Sequence, residues 1–290
     1  MSFVHLLFNG VALGAAYALV ALGFVLVVNA TGAVNFAHGD LVMAGGYAAV
    51  VLGLWLPVPL VVLLPIVAVV LFALGVLVCF VAYVPLMRRP PSTVFISTLL
   101  CGIILENVYI VAFGPQAQAG PPLLVGGTVS AGDATVSVQS LLTILVAAAL
   151  VAVQYLIFFR TQLGRRLRAV AEDREMAQAV GIPAFTLIAC TFGIGTALAG
   201  VAGAILANQF FVSPTGGVSL SVYAYIAVVI GGWGSIAGAV LGAMIIALFQ
   251  VVASLYVPYT VATGALYVAL LAILFIRPQG IFGERIQHRV

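Results

Sequence analysis

Apolar positions along the chain gather into nine runs, at residues 6–28, 41–56, 60–83, 93–113, 141–159, 185–207, 222–231, 235–255 and 261–276. A helix needs about 20 residues to cross a hydrocarbon layer roughly 30 Å thick. Most of the runs approach or exceed that length, while the seventh is about half a crossing. The pattern predicts an all-α polytopic transmembrane helical bundle of about 8–9 membrane segments, forming a single transmembrane domain over residues 1–290. Two polar or glycine-rich interruptions follow the first and seventh runs, at 29–40 and at Gly231-Gly232-Trp233-Gly234. Irregular backbone is tolerated at membrane depth only where protein shields it or water wets it. Discontinuous or re-entrant breaks are therefore expected at both places.

Composition fits this reading. Of 290 residues, 64% are hydrophobic and 6% charged, against about 25% charged in ordinary soluble domains. Soluble and disordered classes are excluded. No basic residue precedes the first apolar run, and that run is long enough to span. It reads as a retained first helix rather than a cleaved signal peptide.

Orientation follows the arginines. Arg88 and Arg89 end the third run; Arg160, Arg165, Arg166, Arg168 and Arg174 fill one long loop; Arg277, Arg285 and Arg289 lie in the tail. The loops 114–139 and 208–221 hold only Asp133. The positive-inside rule places the arginine clusters in the cytoplasm and those two loops outside, which puts the amino terminus outside. The net charge of +3 lies in these loops and gives no reason to expect nucleic acid.

Ten basic residues and not one lysine exclude a P-loop from this chain, since that motif needs a lysine on the phosphates. Cys79, Cys101 and Cys190 are scattered through apolar runs and read as small core residues, with neither disulfide nor metal spacing. No hydrolase elbow, His-Glu-x-x-His pair or paired-carboxylate site is present, so the chain is not expected to be an enzyme. No cofactor of its own is expected either.

Inside apolar territory the ionisable residues are His38, Asp40 and Glu106, with Asn35 and Asn107 beside them. Each is a functional candidate because charge at membrane depth is costly. The alternative is structural, and for Asp40 it is favoured: Asp40 or Asn35 would cap the helix that follows. Glu106 would need a buried partner or a proton. Small residues repeat every four positions at Gly195, Ala199, Gly203 and Ala207, and at Gly234, Gly238 and Gly242. They read as packing seams, facing this chain or a second subunit. Phe8, Thr31-Gly32 and Val34 recur 184 residues on as Phe192, Thr215-Gly216 and Val218, a match that chance explains better than an internal repeat.

Residues 160–183 form the most informative polar segment. After Gly164, the positions Leu167, Val170, Ala171 and Met176 predict an amphipathic cytoplasmic helix that Gly181 stops, with Pro183 just beyond. Its mixed charges suit a protein groove better than an anionic lipid surface.

At these residues a family becomes visible. Glu175-Met176-Ala177 followed by Gly181 resembles the Glu-Ala-Ala-x3-Gly coupling motif of permease subunits in ABC importers, with Met176 departing at the second position and no Ile-x-Leu-Pro following. The stretch from Gly10 to Tyr47, including Thr31-Gly-Ala-Val-Asn35-Phe-Ala-His38-Gly-Asp40, resembles the amino-terminal signature of the branched-chain amino acid permease family. Ile230-Gly-Gly-Trp-Gly-Ser-Ile-Ala-Gly-Ala-Val-Leu-Gly242 and Arg277-Pro-Gln-Gly-Ile-Phe-Gly283 resemble its later motifs.

The resemblance implies a translocation subunit in the bacterial cytoplasmic membrane. Its partners would be a second homologous permease, two cytoplasmic ATPase subunits that bind the ATP and Mg, an extracytoplasmic substrate-binding protein, and membrane lipid. Arg165, Arg168, Glu172, Asp173, Glu175, Ala177 and Gly181 would couple to the ATPases. Asn35, His38, Asp40, Glu106, Gly231, Gly232 and Gly234 would lie on the translocation pathway or the permease interface. Substrates in the family include branched-chain and other amino acids, urea and short amides, with small organic acids a further alternative. A passive channel or an ion-coupled secondary carrier are the rival classes, and neither needs a docking helix.

Overall fold

The computed structural model describes residues 3–124, 127–131, 134–276 and 280–281. Asp133, Arg277, Arg285, Arg289 and most of the closing motif lie outside the described residues. Helix α1 covers Phe3–Thr31, α2 His38–Trp55 and α3 Leu60–Val78, which runs on through a π turn at Cys79–Tyr83 and a 3₁₀ turn at Val84–Leu86. Helix α4 covers Pro91–Phe113 and α5 Val138–Arg160, and the short α6 and α7 cover Gln162–Glu172 and Arg174–Ala179. Helices α8 (Ala184–Phe210), α9 (Gly217–Gly231), α10 (Ile236–Ala253) and α11 (Tyr259–Ile276) complete the bundle. A two-stranded antiparallel hairpin, Thr128–Ala131 with Ala134–Ser137, lies between α4 and α5.

The protein is an all-α, multi-pass membrane bundle. Among the described residues eight helices are long and apolar enough to span, and each lies on a predicted run. The seventh run is longer than its apolar stretch, because a 3₁₀ turn at Pro214–Gly216 extends it to 18 residues. The remaining run, the second, is α2, which carries His38 and Asp40 and is buried along most of its first half.

Direction follows from the contacts. Ser140 Oγ donates to Asn9 Oδ1 (2.8 Å), so α1 and α5 start at the same end. Gly10 lies on Leu248 and Gly14 on Met244, so α10 runs opposite to α1. Gly75 lies on Phe192 and Thr196 while Leu71 lies on Gly200, so α3 runs opposite to α8. The carboxy-terminal ends of α1 and α5 thus share one side with α6 and α7; Leu60 and Gly120 mark the other.

Two helices begin inside the bundle. His38 Nε2 donates to the Val20 carbonyl (2.9 Å), although α1 continues eleven residues further to Thr31, roughly 16 Å of helix. Residues 32–37 therefore climb back up beside α1 before α2 starts. After α8, residues 211–216 return likewise, with Val212 bridged to Gln118, and α9 starts against Gly39 and Asp40.

The succession of long helix, six-residue break, re-entrant helix and antiparallel partner thus occurs twice with opposite direction, as α1–α2–α3 and α8–α9–α10. The offset is 179 residues, from Thr31 to Phe210 and from His38 to Gly217. An inverted repeat is present, but its register is not the 184-residue one, which aligns the end of α1 with the turn before α9.

The small-residue seams face this chain. Gly195 meets Gly23, Gly203 meets the Val42 carbonyl and Gly238 meets Gly231, so that backbones touch where lipid supplies no hydrophobic drive. A side chain at Gly203 would collide with backbone, which cannot yield as a side-chain tip does. Gly203→Val should cost more than the ~1–3 kcal/mol of ordinary overpacking and abolish a monodisperse size-exclusion peak in detergent. A normal peak with an unchanged thermal midpoint would show that α2 and α8 do not meet there.

Candidate functional site: an inner junction and a coupling end

The starts of α2 and α9 form the inner junction. Gly39 N–H donates to Ser221 Oγ (2.7 Å), and Ser221 Oγ–H reaches the Phe36 carbonyl (3.4 Å). From α4, Thr98 Oγ accepts the Phe36 N–H (3.1 Å) and Tyr109 donates to the Asp40 carbonyl (3.3 Å). Asn35 Oδ1 accepts the Ala37 N–H (3.1 Å), so of the two capping candidates it is Asn35 that folds the turn.

Asp40 is not the cap. It is the third residue of α2, which has Ala37 at its N-cap position and no side-chain cap. The Asp40 carboxylate, 6% exposed, is wedged between Gly102 of α4 and Gly217 of α9. No cation reaches it among the described residues. What favours its charge is the first turn of α2 and the first turn of α9, whose positive dipole ends both lie beside it. Asn35 Nδ2 and His38 Nδ1 are buried without a partner among the described residues.

Glu106 is half-buried on α4, one turn beyond Gly102 and so on the same face. Its neighbour Asn107 is exposed and bonds back to Ile103 O (2.7 Å). Ser221, Thr98, Tyr109 and Gly217 complete the junction and were not singled out from sequence. Hydroxyls in apolar runs bond their own helix too readily to signal a distant partner.

Gly231, Gly232 and Gly234 lie at the opposite end of α9, on the side of α6 and α7. Gly231 packs on Gly238, and Gly232 (φ 117°) and Gly234 (φ 82°) make a turn that L-residues would strain. Asn29 at the end of α1 donates Nδ2–H to the Gly234 carbonyl (3.0 Å). The two glycine-rich and polar breaks are therefore separate places, joined by α9.

The segment 160–183 is two helices rather than one. Thr161 caps α6 through Gly164 N–H (3.2 Å), so Gly164 sits in the first turn instead of preceding the helix. Asp173 breaks the run and caps α7 through Met176 N–H (2.9 Å). Leu167, Val170 and Ala177 face the bundle, whereas Met176 and Val180 stand out at 66% and 75% exposure, so Met176 is not on the buried stripe.

Arg165, Glu172 and Glu175 are exposed. Arg168 turns inward: its guanidinium donates to the Phe158 carbonyl and lies 5.4 Å from the Phe158 and Phe159 ring centroids. Arg174 reaches Met87 Sδ (3.1 Å) at the end of α3. Gly181 ends α7 at φ 83°, with Ile182 N–H on Ala177 O (2.9 Å) and Gly181 N–H on Gln178 O (3.0 Å). That bond pair is a Schellman motif.

Two cavities border these places. An apolar groove of 1310 Å³ runs along α1 between α5 and α10, from Val11 to Asn29, and ends at Arg168, Glu172, Trp233 and Gly234. A smaller cavity of 560 Å³ lies among α1, α8, α9 and α11, beside the 211–216 break.

The family described as branched-chain amino acid transport system / permease component matches residues 6–276. The high-affinity branched-chain amino acid transport system permease protein LivH of Escherichia coli K12 is 33% identical, over 97% of this chain and 96% of the relative. BraD of Pseudomonas aeruginosa, a protein of the same description, has the same identity and coverage. The probable branched-chain amino acid transport permease LivH of Methanocaldococcus jannaschii is 29% identical, over 91% of this chain and 88% of the relative. No solved structure matches the chain. With nearly its whole length matched in order, this chain belongs to the branched-chain amino acid transport permease family.

Proposed function

We propose that this chain is the translocation subunit of an ATP-driven importer for branched-chain or related aliphatic amino acids in the bacterial cytoplasmic membrane. It works with a second homologous permease, two cytoplasmic ATPase subunits and an extracytoplasmic binding protein. The observation that carries this reading is the α6–α7 pair. It presents Glu175, Met176 and Val180 outward while fastened inward at two places: Arg168 to α5 and Arg174 to the end of α3. A surface that both docks and is bolted to the bundle suits a transmission element. A passive channel or an ion-coupled carrier has no use for one. ATP and Mg fall to the partners, since a chain without lysine has no P-loop. The names of the relatives support the substrate class.

The whole importer, purified and reconstituted in proteoliposomes with its binding protein, should accumulate leucine only with ATP inside, while this chain alone binds no nucleotide. Specific ATP binding by the isolated chain, or leucine accumulation without ATP, would count against the reading. Glu175→Lys reverses a charge on the exposed face. Gly181→Pro imposes φ near −65° where φ is 83° and deletes the N–H bonded to Gln178. Each variant should lower uptake at least tenfold in an importer that still assembles; wild-type uptake by both would sink the coupling assignment.

Asn35, His38 and Asp40 act here by holding the inner junction in register. Asp40→Asn keeps the shape and loses the charge, so it should cost about 1–2 kcal/mol in thermal stability and leave uptake within threefold. Asp40→Leu, which can accept nothing from backbone, should prevent assembly. Abolished uptake by a fully assembled Asp40→Asn importer would instead make Asp40 a gating or pathway group.

A further inference from the structure

The 560 Å³ cavity on the side away from α6 and α7 has a lining that the fold alone does not require. Its volume falls in the range of roughly 300–1,000 Å³ usual for small-molecule sites. Four tyrosines border it, Tyr17 from α1, Tyr223 from α9, and Tyr259 and Tyr267 from α11. Met43, Leu206 and Leu220 give it an aliphatic wall, and no charged side chain lines it.

The hydroxyls form a connected chain. Tyr17 O–H donates to Gln250 Oε1 (3.2 Å), and Gln250 Nε2–H donates to the Tyr259 oxygen (2.8 Å). Gln250 is buried behind the cavity at 2% exposure. The Tyr259 and Tyr223 hydroxyls lie 3.3 Å apart, and Tyr223 lies 3.5 Å from Thr263 Oγ, so the Tyr223 and Thr263 hydroxyls end the chain at the cavity wall in a long, weak contact.

The backbone at the rim is strained. Phe211, which lines the cavity, has φ 61° and ψ 159°, a region essentially reserved to glycine. Such strain gathers at ligand clamps.

A site with an aliphatic wall, aromatic faces, donor hydroxyls and no net charge fits one chemistry. An ammonium is attracted to tyrosine faces, a carboxylate accepts hydroxyl protons, and an overall neutral zwitterion leaves no uncompensated charge in the apolar interior. Resting on the reading of this chain as an amino acid permease, we propose that this cavity binds the transported aliphatic α-amino acid on the extracytoplasmic side of the inner junction. Its side chain lies on Met43, Leu206 and Leu220, its ammonium against the tyrosine rings, and its carboxylate on the hydroxyls of Tyr223 and Thr263.

Gly264 of α11 makes the proposal testable without breaking the fold. It lines the cavity, and a Cβ built there meets nothing within 4 Å. Its replacement fills empty space and improves helix propensity. In the reconstituted importer, leucine uptake should fall in the order Gly264→Ala, Gly264→Leu, Gly264→Phe, reaching at least a tenfold loss for phenylalanine. Valine should be less affected than leucine in Gly264→Leu, because it needs less room. Tyr223→Phe should raise the leucine KM about tenfold. Val268→Phe, a bulky change at a 66% exposed position of α11 outside the cavity, should leave uptake within twofold. If the wild-type importer does not accumulate leucine, the functional reading fails and this site fails with it. If the wild type accumulates leucine while the Gly264 series stays within twofold with an unchanged valine-to-leucine ratio, the site is overturned and the functional reading stands.

Discussion

A helix that begins inside a bilayer exposes its first N–H groups where no water can bond them. Among the described residues two helices start so, and side chains of α9 and α4 answer for the start of α2. Ser221 of α9 takes the N–H of Gly39 in α2 and returns its own proton to Phe36. Thr98 of α4 and Asn35 take the next two N–H groups, of Phe36 and Ala37. An unmet group in hydrocarbon costs several kcal/mol, so the junction holds α2, α4 and α9 at one depth. The close glycine contacts of α1, α2 and α8 follow from that depth, since Gly203 can meet Val42 only if α2 starts where it does.

Asp40 belongs to the same account. A carboxylate with no cation at this depth is expected to be unstable. Here two dipole ends supply about half a charge each beside it, because the re-entrant helices converge from opposite directions. Fixed dipoles serve where a mobile counter-ion is absent, and they hold only while both helices remain in register. His38, anchored to the Val20 carbonyl, sets the register of α2 against α1 in turn.

The helices were legible in the sequence because lipid makes the apolar run itself the signal, and every run became a helix within a few residues of its expected ends. The breaks were legible as polar or glycine-rich interruptions, but their meaning was not. Nothing in Asn35-Phe-Ala-His38 states that the chain climbs back beside α1, because that depends on Val20, Ser221 and Thr98, far off in sequence. Asp40 was misread as a cap because it heads the apolar run, whereas the helix starts two residues earlier at His38. The split of the cytoplasmic segment at Asp173 was missed because Glu172-Asp-Arg-Glu175 reads as ordinary helix surface; what breaks it is the Asp173 side chain taking the Met176 N–H. The tyrosine cavity was invisible because its members are spread from Tyr17 to Tyr267.

Helix α9 joins these places. Its first turn is held in the inner junction by Ser221 and Gly217, and its last turn ends in the Gly232–Gly234 turn, whose carbonyl holds Asn29 of α1. Trp233 and Gly234 border the groove across from Arg168 and Glu172 of α6. On its way α9 presents Leu220 and Tyr223 to the tyrosine cavity. A 15-residue helix is stiff along its axis, and the positive-φ glycine turn at its end can absorb rotation that the helix cannot. Displacement of α6 would reach the cavity through two elements in turn, α1, on which α6 packs, and then α9, which Asn29 of α1 holds through Gly234. The inverted repeat gives α2 the corresponding position in the other half, where it meets the cavity through Met43. The cavity is thus bordered by both re-entrant helices, and a change in their mutual register alters its shape from two sides at once.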